Sequence, residues 1–433
     1  MARSRTVRNR LHVSLVVSEV GGRTGVSTHV RDLAKYLSGE GNGVSVISRD
    51  VQDGTGSDGI RYVRVPDVVG LPQPLFIFLK LLSLHQRDPV DVVHVHDSVA
   101  FLGVDLFCRV SGVRSVFTMQ ASILSPGRDR DYAWHAAQIF QLTNRYVCRA
   151  SDLVICPSRE MVECALRGGA PPRKIRLLFN PVDSELFAPG ASAGGRGGRR
   201  NGAVQSAPAV GRHVRPRGRA CLFVGGFRPV KGPEVLVRAI PHILENAPDA
   251  HFVMVGDGPE RDRCEELARL QGIQDSISFV GHVPYQDLPS YYGLADLFVM
   301  PSLNEPMGLA LMQALSCGVP VVASEVGGIP EIVRHGRNGL LVPPGDERAL
   351  AEAIIEILSD DALGRRLRDG ACATGAGLTW NERIGQFTET YRQIVREATG
   401  GRDRSNGKTR RRRWPSSSAL ATTGTMPGGV ASN

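Results

Sequence analysis

Apolar residues along the chain fall into short runs, LHVSLVV at 11–17, GVSVIS at 43–48, DVVHVHD at 91–97, SVFTMQA at 115–121, DLVICPS at 152–158 and KIRLLFN at 174–180. Between them lie longer stretches with helical spacing, such as THVRDLAKYLSGEGN and WHAAQIFQLTNRYVCRA. Strand-length runs alternating with helix-length patterns predict parallel sheets with helices on both faces. The succession restarts with ACLFVGG at 220, then HFVMVGDGP, ERDRCEELARLQG, ISFVGHVP and YQDLPSYYGLA. Helices are predicted over Glu352–Leu358 and over 380–397. The chain is therefore expected to be α/β, with two doubly wound domains.

The clearest unit runs from Val299 to Pro343. It reads as a strand (LADLFVM), a loop (PSLNEP), a helix (MGLALMQALSCG), a strand (VPVVAS) and a Gly-Gly turn before a short helix. Such a unit puts the loop and the helix N-terminus at the carboxyl edge of a parallel sheet, where open α/β folds bind ligands. The amides of Gly308 and Leu309 would lie at that N-terminus, at the positive end of the helix dipole, and suit a phosphate or diphosphate. Glu305 precedes the helix, and Gln313 follows it by eight residues, about 12 Å at the helical rise. A nucleotide sugar has a matching layout, with sugar, diphosphate and ribose in line.

The residues PSLNEPMGLALMQALSCGVPVVAS, followed by GGIPEIV and NGLLVPPGD, resemble the donor site of the retaining GT-B glycosyltransferases, specifically glycosyltransferase family 4 (glycosyl transferases group 1). The resemblance implies two Rossmann-like domains facing a central cleft. It also implies a signature of two glutamates, the first touching the donor sugar and the second the ribose hydroxyls. Glu305 matches the first, and Gln313 stands at the second. FVGGFRPVKG resembles the family's diphosphate clamp, with Lys231 in place, Gly226 at the arginine position and Arg228 two residues on. In the first domain, Gly25 matches the small residue of the loop near the donor phosphates, ahead of His29. His94 and His96, alternating with valines on one side of a strand, read either as satisfied structural histidines or as the histidines the family often has near its acceptor cleft, and Gln120 falls where the family usually has a histidine beside the donor. FNPVDSELFAP resembles the interdomain hinge.

These matches divide the chain into an acceptor-binding domain over 1–187, a disordered Gly/Arg-rich linker over 188–218 and a nucleotide-sugar-binding domain over 219–380. A helix over 381–399 then crosses back to the first domain, and a disordered basic tail occupies 400–433. The implied activity is retaining transfer of a hexosyl unit from a nucleoside-diphosphate sugar to a hydroxyl of a carbohydrate, a lipid-linked or a small-molecule acceptor. Glu305 and Lys231 are the catalytic candidates, and Gly25, Arg228, Gly308, Leu309 and Gln313 join them in binding the donor. Because Gly226, Gln313 and Gln120 replace polar or charged residues of the family, the alternative is a catalytically weak nucleotide-sugar-binding or partner protein.

Composition changes this picture little. The formal charge of +9 is carried by arginines in residues 1–10, 190–219 and 401–414, and the remainder is acidic. No aromatic-interleaved basic face accompanies these runs, which excludes nucleic acid as the expected partner and leaves solvated tails or contact with an anionic membrane. Eight cysteines without CxxC spacing read as buried thiols of a reducing, cytoplasmic compartment. Asp129-Arg130-Asp131 is formally an Asp-x-Asp pair, but it sits in a polar arginine-flanked loop, and neither a metal nor a cofactor is expected. LHVSLVV reads as a first strand in preference to a signal peptide. LPQPLFIFLKLLSLH at 71–85 is too short to span a bilayer and reads as a buried helix or a docking surface.

Overall fold

The computed structural model describes residues 10–22, 24–67, 72–120, 134–190 and 218–400. The Gly/Arg-rich segment, the basic tail and Asp129-Arg130-Asp131 lie outside the described residues. The chain divides into two compact units. One runs to Asn180 and includes the C-terminal helix from Trp380; the other is Pro181–Thr379.

The first unit is built on β1 (His12–Val16), α1 (Gly25–Gly39), β2 (Gly43–Ser48), β3 (Gly54–Thr55), β4 (Arg61–Arg64), α2 (Gln73–Arg87), β5 (Val92–Val95), α3 (Phe101–Ser111), β6 (Arg114–Thr118), α4 (Trp134–Ala150), β7 (Leu153–Cys156), α5 (Arg159–Arg167) and β8 (Ile175–Leu177). Its sheet order is β3-β4-β2-β1-β5-β6-β7-β8, parallel except for β3 against β4. Val13 lies opposite Val44 on one side and Val92 on the other. Strand residues alternate between two apolar layers, as the pleat demands. Val92, Val116 and Ile155 face α1 and the C-terminal helix, whereas Val93, Phe117 and Val154 face α2 to α5.

The second unit contains β9 (Ala220–Val224), α6 (Pro233–Asn246), β10 (His251–Val255), α7 (Arg261–Leu270), β11 (Ile277–Gly281), α8 (Leu288–Leu294), β12 (Leu297–Met300), α9 (Leu309–Ser316), β13 (Val321–Ser324), α10 (Ile329–Ile332), β14 (Gly339–Val342), α11 (Glu347–Ser359) and α12 (Asp361–Ala376). Its all-parallel sheet runs β11-β10-β9-β12-β13-β14. In this order the chain winds outward from β9 one way and then restarts at β12 the other way. The strand order thus reverses between β9 and β12, leaving a crevice at their carboxyl ends. Helix α12, over DALGRRLRDGACATGA, was not foreseen in the sequence. Two of its three glycines are close-packing positions: a Cβ on Gly370 would lie 1.9 Å from the Arg337 carbonyl oxygen, and one on Gly375 2.5 Å from that of Leu315.

Candidate functional site

The loops after β9 and β12 meet at the reversal. Loop 225–232 ends in a 3-10 turn over Pro229–Lys231 and a left-handed Gly232, whose added Cβ would lie 2.1 Å from the Pro301 carbonyl oxygen. Only glycine lets the two loops come that close. The Val230 carbonyl accepts the amides of Leu303 at 2.8 Å and Asn304 at 3.2 Å, stitching one loop to the other. Across this seam the Lys231 Nζ donates to Glu305 Oε2 at 2.7 Å. The Glu305 carboxylate is 6% exposed at residue level, and its Oε1 accepts the Gly308 amide at 3.1 Å. The Glu305 carbonyl accepts the amide of Gly328, tying the third loop of the edge to the same residue.

One of the sequence expectations changes here. The Gly308 amide does not stand open toward an anion, because Glu305 occupies it, a local Asx-like bond favoured by the left-handed turn at φ +87°. Leu309 then opens α9 without a side-chain cap, so its amide has no partner within the helix. The amide signal thus starts one residue later than sequence alone suggests. Gly25 belongs to the first unit, where it opens α1 behind Thr24, whose side chain accepts the Ser27 amide at 3.2 Å.

The family model for glycosyl transferases group 1 matches residues 214–372, and that for glycosyltransferase family 4 matches residues 23–186. An uncharacterized glycosyltransferase of Methanocaldococcus jannaschii is 30% identical over 358 residues, covering 78% of this chain and 85% of that one. The D-inositol 3-phosphate glycosyltransferase 1 of Catenulispora acidiphila is 31% identical over 328 residues, covering 72% and 74%. The chain belongs to the GT-B glycosyltransferases of group 1 and family 4. Among solved structures, sucrose-phosphate synthase from Thermosynechococcus elongatus matches this glycosyltransferase with a TM-score of 0.75 at 25% identity, over 90% of this chain and 100% of that one. HepE of Anabaena, in complex with UDP and glucose, shares the fold at a TM-score of 0.69 and 19% identity, over 88% and 99%.

Gln313 of this glycosyltransferase lies one full turn into α9 and is 3% exposed. Its Oε1 accepts the Tyr292 hydroxyl at 2.9 Å, and that hydroxyl is also 3.0 Å from the Ala310 carbonyl oxygen. Tyr292 was missed in the sequence, because a tyrosine in a short apolar helix carries no pattern distinguishing a core ring from a site hydroxyl. Burial pushes its pKa well up, so it stays a donor. At Gly226 a side chain would meet nothing closer than 3.8 Å, and the nearest atoms include Cγ and Cδ of Arg228. The stem of Arg228 runs past the position where the family carries its arginine.

The first unit has its own strand-order reversal, between β1 and β5, where the Ser18 hydroxyl donates to Asp97. His94 is fully buried, with Nδ1 bonded to the Tyr391 hydroxyl at 2.8 Å and Nε2 to Thr118 Oγ1 at 2.6 Å. His29 and His96 are buried beside it, and their ring nitrogens have no hydrogen-bond partner among the described residues. Burial holds all three neutral, lowering His29 to about 3 and the other two well below the usual imidazole value. Rings of His29 and Trp380 lie 5.4 Å apart, so these histidines help seat the C-terminal helix on the sheet. Gln120 Oε1 is 3.5 Å from Asn180 Nδ2. All eight cysteines are free, six of them buried. Among the described residues, no group of three or more His, Cys, Asp or Glu could hold a metal ion, and no helix is long and apolar enough to cross a membrane.

Proposed function

We propose that this glycosyltransferase moves a hexosyl unit from a nucleoside-diphosphate sugar to an acceptor hydroxyl with retention of anomeric configuration, without a metal. The Lys231–Glu305 pair at the reversal of the second sheet carries the reading. It puts a cation, a carboxylate and the first open amides of α9 at the place where the topology of the second sheet makes a crevice.

In this reading the donor diphosphate lies against Lys231 and the Leu309 amide, with Arg228 alongside. Charge builds on the leaving phosphate oxygens as the anomeric bond breaks, and fixed donors aimed at that charge stabilise the transition state. Before the donor arrives Lys231 neutralises Glu305. With the donor bound, the ammonium bridges carboxylate and diphosphate, and Glu305 turns a free lone pair to the sugar hydroxyls. The acceptor hydroxyl attacks from the face the diphosphate leaves, and the departing phosphate takes its proton. Gln313 and Tyr292 meet the ribose. The first unit takes the acceptor. The names of the relatives, which include D-inositol 3-phosphate, put phosphorylated polyols first in an acceptor screen. Free thiols throughout suit the cytoplasm.

One observation favours the second reading, a donor-binding protein of weak activity: the Gln313 carbonyl oxygen is already engaged by Tyr292. A single experiment separates the two. UDP-, GDP- and ADP-sugars are incubated with the full chain and an acceptor panel, and products are read by mass and by the anomeric coupling constant in NMR. A product with the donor's anomeric configuration supports the proposal; an inverted product, or donor binding without any product, overturns it.

A further inference from the structure

Twelve large apolar side chains are exposed among the described residues, and ten of them lie on α2, α3 and α4 or just before α3. The three helices pack on the same face of the first sheet, over the same apolar layer. Helices α2 and α3 approach so closely that a Cβ on Gly103 would lie 2.0 Å from the Pro74 carbonyl oxygen. The Tyr146 hydroxyl of α4 donates to Asp105 of α3 at 2.6 Å. Each helix therefore presents an outward stripe next to its neighbour's: Leu75 and Leu79, Leu102 and Leu106, Ile139 and Leu142, each 41–65% exposed. Scattered surface leucines need no explanation, but a contiguous apolar face marks an interaction site.

The charge around this face selects its occupant. All three helices precede parallel strands of one sheet, so their carboxyl ends share one edge. The last turns there carry Arg87, Arg109 and Arg149, and Arg145 lies a turn before. Asp105 is the one acidic residue in the three helices and pairs with Arg109, and Lys80 of α2 pairs with Asp53, which leaves Arg87, Arg145 and Arg149 as the exposed excess. A second copy would meet this face through a two-fold axis, setting like-charged rims against each other. A bilayer with anionic headgroups matches both features, since apolar side chains enter the headgroup boundary while basic ones meet phosphates. We infer that the outer face of α2, α3 and α4 docks this protein on an anionic phospholipid surface, lying on the membrane. The inference is independent of the donor chemistry.

Co-sedimentation with vesicles tests it, using the full chain with phosphatidylcholine alone and with one-third phosphatidylglycerol. The chain is expected to pellet with the anionic vesicles only. A triple variant, Leu102→Ser, Leu106→Ser and Leu142→Ser, should weaken that binding by about tenfold or more, as should Arg87→Gln with Arg145→Gln and Arg149→Gln. Unchanged melting temperature and donor binding show that each variant is folded. Neutralising the tail instead (Arg410→Gln, Arg411→Gln, Arg412→Gln, Arg413→Gln) should leave pelleting intact. The inference is overturned if the wild type does not pellet, if the tail variant alone loses binding, or if sedimentation velocity shows a dimer that the leucine variant abolishes while vesicle binding is unaffected.

Discussion

Replacing Lys231 by methionine removes the ammonium while keeping most of the aliphatic stem, so it isolates the charge. Two effects follow from the geometry. The Glu305 side chain is 8% exposed and would keep a single bond, that from the Gly308 amide at 3.1 Å. Breaking a fully buried pair costs about 3–5 kcal/mol, and because the Lys231 side chain is 31% exposed, water recovers part of that, leaving about 2 kcal/mol. For a unit of this size the loss lowers the melting temperature by about 5 °C. Separately, transfer should fall by two orders of magnitude or more, the scale of removing one transition-state donor. The double variant Lys231→Met with Glu305→Gln leaves no uncompensated charge and should regain most of the stability. It should regain none of the activity. Differential scanning fluorimetry and initial-rate transfer assays read the two quantities. If the double variant recovers transfer, or the single variant keeps it within a factor of two, Lys231 does not face the leaving diphosphate and the mechanism is wrong.

Three further outcomes follow from other parts of the structure. Gln313→Glu turns a neutral bond to the ribose into a charge-assisted one while Tyr292 still donates, and calorimetry should show donor affinity rising about tenfold; unchanged or weaker binding places the ribose elsewhere. Treatment with EDTA should leave transfer rates intact, and a loss that Mg²⁺ or Mn²⁺ reverses would refute a metal-free reaction. His29→Leu probes pH. The folded histidine titrates at about 3 and the unfolded one near 6.5, so between those values the unfolded chain binds the extra proton and stability falls as pH drops, by up to about 1.4 kcal/mol per pH unit. Urea titrations from pH 7.5 to 5 should show a shallower decline in the variant, with no loss at pH 7.5 because both ring nitrogens lack partners among the described residues; an unchanged slope contradicts the buried neutral ring.

Much of the architecture was readable because buried strands appear as continuous apolar runs, and five of the six parallel strands of the second unit were read that way, whereas Gly339–Val342 was read only as part of a motif. The edge pair β3–β4 was not readable, since GT is short and exposed and RYVR short, only partly buried and without alternation. Two of the glycines of helix α12 serve contact with Leu315 and Arg337, which no local rule can anticipate. In the site, Lys231 was legible only through the resemblance of FVGGFRPVKG to the family's clamp, whereas Glu305 and Leu309 were legible from the loop and helix start of a βαβ unit. Their direct pairing, and the loss of the Gly308 amide to Glu305, depend on how two loops 74 residues apart meet at the reversal. Tyr292 beside Gln313 and Trp380 beside His29 are likewise products of tertiary packing, with nothing in the sequence to join them.

The central claim is that the donor diphosphate sits at the reversal between β9 and β12. A crystal structure of the full chain soaked with a non-transferable nucleoside-diphosphate sugar measures this directly. The account predicts diphosphate oxygens at hydrogen-bond distance, about 3 Å, from Lys231 Nζ and the Leu309 amide, with the sugar against Glu305. A diphosphate bound away from both groups, with the Lys231–Glu305 pair undisturbed, would contradict it.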